Sequence, residues 1–178
     1  MEAQLSKLTT SCVRDGSTYI YRLWRSVLHH WLVDPARRVF IVTPFLDSAR
    51  LIDICNIVLE HRLHANLDSV YVRQRCGDNT TIQQVKKATL DKFDAKNQMY
   101  IEYKIFSAIV YPVQRFNAAF LGCIKGDEAE VLSTSASFHG DNFDHSNMNT
   151  VHYQKMSDVD FIAKFLGPIN ASVHQLEA

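Results

Sequence analysis

Glycine and proline are scarce, six and four among 178 residues, which excludes collagen-like and low-complexity readings. No C-x-x-C pair occurs. The four cysteines, Cys12, Cys55, Cys76 and Cys123, are scattered and read as reduced thiols of a cytosolic or nuclear protein. Charge of either sign shows no excess, since 19 Lys and Arg balance 19 Asp and Glu at a pI near 7.1. That balance argues against a broadly basic nucleic-acid surface. No segment approaches the roughly 20 apolar residues of a membrane span, and MEAQLSKLTTSC has no apolar run after its charges. Neither export nor membrane anchoring is expected. What is present is 47% hydrophobic and 11% aromatic residues, enough for one substantial core in one domain.

Along the chain, Ile20, Leu23, Trp24, Val27, Leu28 and Trp31 repeat at helical spacing between Ser17 and Leu32, and Asp34-Pro35 stops that helix. Both tryptophans fall on its apolar stripe, so core packing is their expected role. VFIVTPF, Val39 to Phe45, reads as a central strand buried on both faces. Asp47 or Ser48 caps a helix carrying Leu51, Ile52, Cys55, Val58 and Leu59 and ending near Arg62. Val70 and Val72 mark a second strand, and Thr80 or Thr81 caps a third helix through Ile82, Val85, Leu90 and Phe93. This alternation predicts parallel pairing. Met99, Ile101, Tyr103 and Ile105 then alternate as in a strand. Strands Asn117 to Ile124 and Glu128 to Thr134 flank a Gly126-Asp127 hairpin turn. A polar stretch, SASFHGDNFDHSNMN, reads as a loop from Ser135 to Asn149. Ser157 with Asp160 caps a last helix whose Phe161, Ile162, Phe165 and Leu166 pack inward before Gly167-Pro168 ends it.

This order, with RVFIVTPFLDSARLIDICNIVLEHR, the hairpin, STSASF and NMNTV, resembles a phospholipase D superfamily half-domain from about Tyr19 to Asn170. The resemblance implies an α/β fold, a mixed sheet flanked by helices in a single domain at 17–170. Residues 1–16 form an N-terminal segment and 171–178 a tail. Members of that superfamily carry His-x-Lys-x4-Asp on a hairpin strand, then a Gly-Ser-x-Asn-like stretch and a later asparagine or glutamate. One histidine attacks phosphorus, a second protonates the leaving oxygen, and lysine and asparagine hold the phosphate. No metal or cofactor is called for. Laid onto FNAAFLGC, the histidine falls at Phe116, the lysine at Ala118 and the aspartate at Cys123. None keeps the chemical group. Thr134-Ser135-Ala136-Ser137 stands at Gly-Ser-x-Asn, and Asn147 or Asn149 at the later asparagine. The residual pocket is therefore Ser135, Ser137, His139, Asn147 and Asn149, with no catalytic set.

The expectation is a catalytically inactive domain acting as a protein-interaction or oligomerisation module. Because family sites are built from two motif copies and this chain has one, it would form a homodimer or pair with a related domain, with Phe116 near the two-fold axis. The alternatives are binding of single-stranded nucleic acid or a phospholipid head group by the residual pocket, and a phosphodiesterase using His139 or His145 with Asp141, Asp144, Arg115 or Lys125 nearby. His61 and His64 share a helix face and could hold a metal with outside help, but helix-end and solvent contacts are the expected role. His29 and His30 point apart. Arg22, Arg25, Arg37, Arg38, Arg73 and Arg75 read as solvated surface rather than a basic strip, and Cys123 as a small buried apolar group rather than a reactive thiol.

Overall fold

The computed structural model describes residues 1–10, 12–15, 19–74, 80–112, 115–140 and 147–170. In chain order these form α1 (Glu2–Leu5), a 3-10 turn (Ser6–Leu8), β1 (Cys12–Asp15), α2 (Tyr21–Leu32), β2 (Arg38–Val42), α3 (Ser48–Glu60) and β3 (Leu67–Tyr71). There follow α4 (Ile82–Leu90), α5 (Ala95–Ile101), a π-helical turn (Glu102–Phe106), β4 (Ile109–Val110), β5 (Ala119–Lys125) and β6 (Glu128–Thr134). The described chain closes with β7 (Met148–Ser157), α6 (Asp158–Phe161), a second π-helical turn (Ile162–Leu166) and α7 (Gly167–Asn170).

The seven strands make one mixed sheet in the order β1-β7-β6-β5-β2-β3-β4. β2, β3 and β4 pair in parallel, and the β1, β7, β6, β5, β2 ladder is antiparallel. The division follows from the connections. The 13-residue α3 crosses from β2 to β3, whereas the β5–β6 turn needs only Gly126 at φ 62, a left-handed conformation that glycine adopts without a Cβ clash.

Side-chain alternation along the strands gives the sheet two cores. Val39, Ile41, Leu121, Cys123, Val151 and Tyr153 face α2, α3 and α4, and Leu5 and Leu8 join the same cluster. Phe40, Val42, Phe120 and Ile124 face Phe161, Leu166 and Ile169. Trp24 and Trp31 are fully buried in the first core, as their helical stripe requires. Of the alternatives read from the sequence, Asp47 and Thr81 are the caps: Asp47 accepts from the Arg50 amide at 2.8 Å, and Thr81 caps α4 in a capping box with Gln84 that the sequence reading did not include, while Ser157 accepts from the Asp160 amide at 3.1 Å. Among the described residues no helix is long and apolar enough to cross a membrane.

Three expectations are corrected. Met99 to Ile105 is helical, not a strand. Asp94 caps the segment by accepting from the Asn97 amide at 2.9 Å, and burial falls on Ile101 and Ile105, four apart, while Met99 and Tyr103 are both 73% exposed. A run of seven residues satisfied both periods, and the cap decided between them. The polar loop ends before Asn149, because Met148 and Asn149 already open the ten-residue β7. Finally, Gly167-Pro168 does not stop the last helix, and Ile162 is 47% exposed rather than packed inward. Gly167 is itself helical and its amide donates to the Ile162 carbonyl, so α7 continues directly from the π-helical turn.

Candidate functional site

Phe116 and Ala118 immediately precede β5 and alternate with Phe120, so they continue the sheet face covered by α6 and α7. Together with Asn117, Ser133, Lys164, Phe165, Pro168 and Ile169 they line a recess of about 450 Å³. Phe116 packs against the Phe40, Phe120 and Phe161 cluster, and the Arg73 guanidinium donates to its carbonyl at 2.5 Å and to the Asn117 side chain. Lys164 is paired with Asp160 at 2.9 Å. The recess walls are mainly aromatic and aliphatic, suited to an apolar contact rather than to an anion.

Cys123 lies on the other sheet face, away from that recess. Its Sγ accepts from Arg37 at 3.2 Å, and Arg37 also donates to Glu130 Oε1 at 2.5 Å, while the Tyr153 hydroxyl donates to Glu130 Oε2 at 2.6 Å. Burial pushes the Cys123 thiol up to about 12, so it stays protonated. For Glu130, burial alone would raise the pKa, but the Tyr153 and Arg37 hydrogen bonds outweigh it and hold the carboxylate below its ordinary value. Sequence reasoning missed this network. Its trace is the cross-strand pairing of Cys123 with Glu130, legible only once the hairpin register is fixed.

The residual-pocket residues meet in part. Ser135 Oγ donates to Asn149 Oδ1 at 3.2 Å and accepts from the Thr150 amide at 2.9 Å, which ties the end of β6 to the start of β7. Asn149 Nδ2 donates to the Asn147 carbonyl at 3.4 Å. Ser137 and Asn149 are buried, and the Ser137 carbonyl accepts from the His139 amide at 2.8 Å. Ser135, Asn147 and Asn149 thus form one linked group, with Ser137 and His139 on the segment that follows. That segment is fastened to the α3 entry: buried Thr43 accepts from the Phe138 amide at 2.8 Å, and Asp47 accepts from the Gly140 amide at 2.6 Å. Asp47 is therefore both a helix cap and a loop anchor, and the second role has no sequence pattern of its own. His145, Asp141, Asp144, Arg75 and Cys76 lie outside the described residues.

Among the described arginines, four have partners of their own, and Arg37 is not on the solvated surface as expected. Arg37 points inward to Glu130, Arg38 pairs with Asp68 at 2.8 Å, Arg25 lies 3.7 Å from Asp53, and Arg73 holds the Phe116 segment. Lys125 pairs with Asp34 at 2.8 Å. His61 does find a histidine partner, but it is His29 of α2 rather than His64.

No protein-family profile and no curated protein sequence matches the chain. Solved structures do. Polyphosphate kinase from Porphyromonas gingivalis superposes with a TM-score of 0.56 at 10% identity over 95% of this chain, which spans only 27% of the kinase. Nuc from Salmonella typhimurium, a phospholipase D family member, superposes with a TM-score of 0.50 at 10% identity over 93% of this chain and 96% of its own. At these identities the likeness is one of architecture: the chain has the phospholipase-D-like fold, a single α/β domain built on one mixed sheet flanked by helices.

Proposed function

We propose that this chain is a catalytically inactive phospholipase-D-like domain that works as an interaction module, pairing with a second copy through the face that carries Phe116. The observation that carries this reading is the aromatic and aliphatic recess at Phe116 and Ala118, the positions where the family resemblance places a nucleophilic histidine and a phosphate-binding lysine. Neither side chain can attack phosphorus or neutralise its oxygens. The neighbouring cations also have partners, Lys164 in Asp160 and Arg73 in the Phe116 carbonyl and Asn117. An apolar recess of this kind favours a contact that excludes water.

Sedimentation equilibrium of the purified chain tests the pairing. The reading expects a dimer that Phe116→Glu converts to a folded monomer, because a carboxylate introduced at a two-fold contact meets its own copy. A wild-type monomer at all concentrations would overturn the homodimeric form. The hydrogen-bonded pair of Ser135 and Asn149 favours a second reading, a phosphate-ligand or single-stranded nucleic-acid module using Ser135, Ser137, His139 and Asn149. Its mark is a salt-dependent affinity for end-labelled single-stranded DNA or RNA that Ser135→Ala and Asn149→Ala abolish. Unchanged affinity in both variants counts against it.

A further inference from the structure

The last turn of α2 and the end of α3 converge on the sheet face opposite the Phe116 recess. There His29 Nδ1 lies 3.1 Å from His61 Nε2 and 3.5 Å from Glu60 Oε2, and all three ligand atoms fall within 4.8 Å of one another. The two rings stand 85° apart. A tetrahedral zinc site with bonds of about 2.0–2.1 Å has ligand-to-ligand edges of roughly 3.3 Å. These two distances, 3.1 and 3.5 Å, bracket that edge. His61 is the C-cap residue of α3, with φ −107 and ψ 19, so it leaves the helix line just where α2 passes.

We propose that His29, Glu60 and His61 form a binding site for one divalent transition-metal ion of the zinc type, which staples α2 to the end of α3. Two imidazole nitrogens and one carboxylate oxygen select zinc, cobalt, nickel or copper over magnesium or calcium, which take oxygen sets. Without an ion the two facing nitrogens can satisfy each other only if one carries a proton and the other does not. A cation satisfies both lone pairs and the carboxylate together. His29 and Glu60 side chains are 33% and 62% exposed, so water has access to complete the fourth position. Glu60 is free enough to close its remaining edge by a rotamer change.

The test titrates the whole chain, stripped with chelator, with Zn²⁺ by calorimetry and with Co²⁺ by visible absorption. The expected result is one equivalent bound with Kd on the order of 1 μM or tighter, the intense visible bands of four-coordinate cobalt, and a Tm rise of roughly 5–10 °C at a hundredfold excess over Kd. His29→Ala and His61→Ala each weaken binding at least tenfold, Glu60→Gln weakens it less, and His64→Ala leaves it unchanged. Circular dichroism checks the fold of each variant, and exposed Glu60 supplies the decision should a histidine variant unfold. No saturable binding below about 100 μM, binding unaffected by His29→Ala and His61→Ala, or binding lost in His64→Ala overturns the site.

Discussion

Glu130→Gln removes the carboxylate that neutralises a buried guanidinium. Arg37 and Glu130 side chains are 11% and 13% exposed and meet at 2.5 Å, so the variant strands a positive charge out of water. Breaking a buried pair from one side typically costs about 3–5 kcal/mol. Here Asp34 Oδ2 remains 3.5 Å from Arg37 Nε, which places the expected loss at the lower end, about 3 kcal/mol. For a domain of this size that lowers Tm by roughly 6–12 °C. The pH dependence supplies a second readout. Because the folded-state pKa of Glu130 lies below its ordinary 4.5, its contribution is fully present above that value and is lost as pH falls through the depressed folded pKa. Urea denaturation of both proteins from pH 7 to pH 3 should therefore show a stability gap that is constant near neutrality and narrows in acid. Cys123→Asp places a second negative charge beside Glu130 and should destabilise the wild type by about 2–4 kcal/mol. In the Glu130→Gln background the loss should be smaller, because the new carboxylate then takes over Arg37. A loss under about 1 kcal/mol for Glu130→Gln, or a gap that persists unchanged to pH 3, would refute this account of the network.

A Cβ built on Gly122 comes 2.5 Å from Phe161 Cζ, so Gly122→Ala should cost about 1–3 kcal/mol by overpacking, read by calorimetry and relieved in part by Phe161→Leu. Burial pushes the Cys55 and Cys123 thiols up to about 12, so iodoacetamide at pH 8 should label half-exposed Cys12 well before either, as read by peptide mass spectrometry. Equal labelling of all three would contradict their packing. Asp47→Ala removes the acceptor of both the Arg50 and Gly140 amides and should cost about 1–2 kcal/mol, with faster hydrogen exchange at Gly140 as well as in the first turn of α3.

The α2, β2, α3, β3, α4 succession and the β5–β6 hairpin were legible because each element carries both a period and a boundary: Asp34-Pro35, Asp47, Thr81 and Gly126-Asp127 all punctuate where the pattern changes. Met99 to Ile105 misleads because its apolar residues fit a period of two as well as the i, i+4 pair Ile101 and Ile105, and the Asp94 cap lies outside the run. β7 does carry alternation, with Asn149, Val151 and Tyr153 buried in turn, but a buried asparagine at its head reads as loop until Ser135 is seen bonding to it. β1 is four residues held only at the edge, by pairing with β7. At the site, the positions of Phe116 and Ala118 on one sheet face and Cys123 on the other follow from strand alternation. The Arg37, Glu130 and Tyr153 network and the His29 and His61 contact join residues 93 and 32 apart, which no local pattern records.

The central claim, that a phospholipase-D-like fold here has no phosphodiesterase chemistry, is tested most directly by following hydrolysis of a chromogenic phosphodiester and of end-labelled single-stranded DNA by the purified chain, with and without divalent metal. The account predicts rates equal to the uncatalysed background under every condition, for the wild type and for His139→Ala alike. Turnover that scales with protein concentration and is abolished by His139→Ala or His145→Ala would contradict it and assign the chemistry to the polar loop.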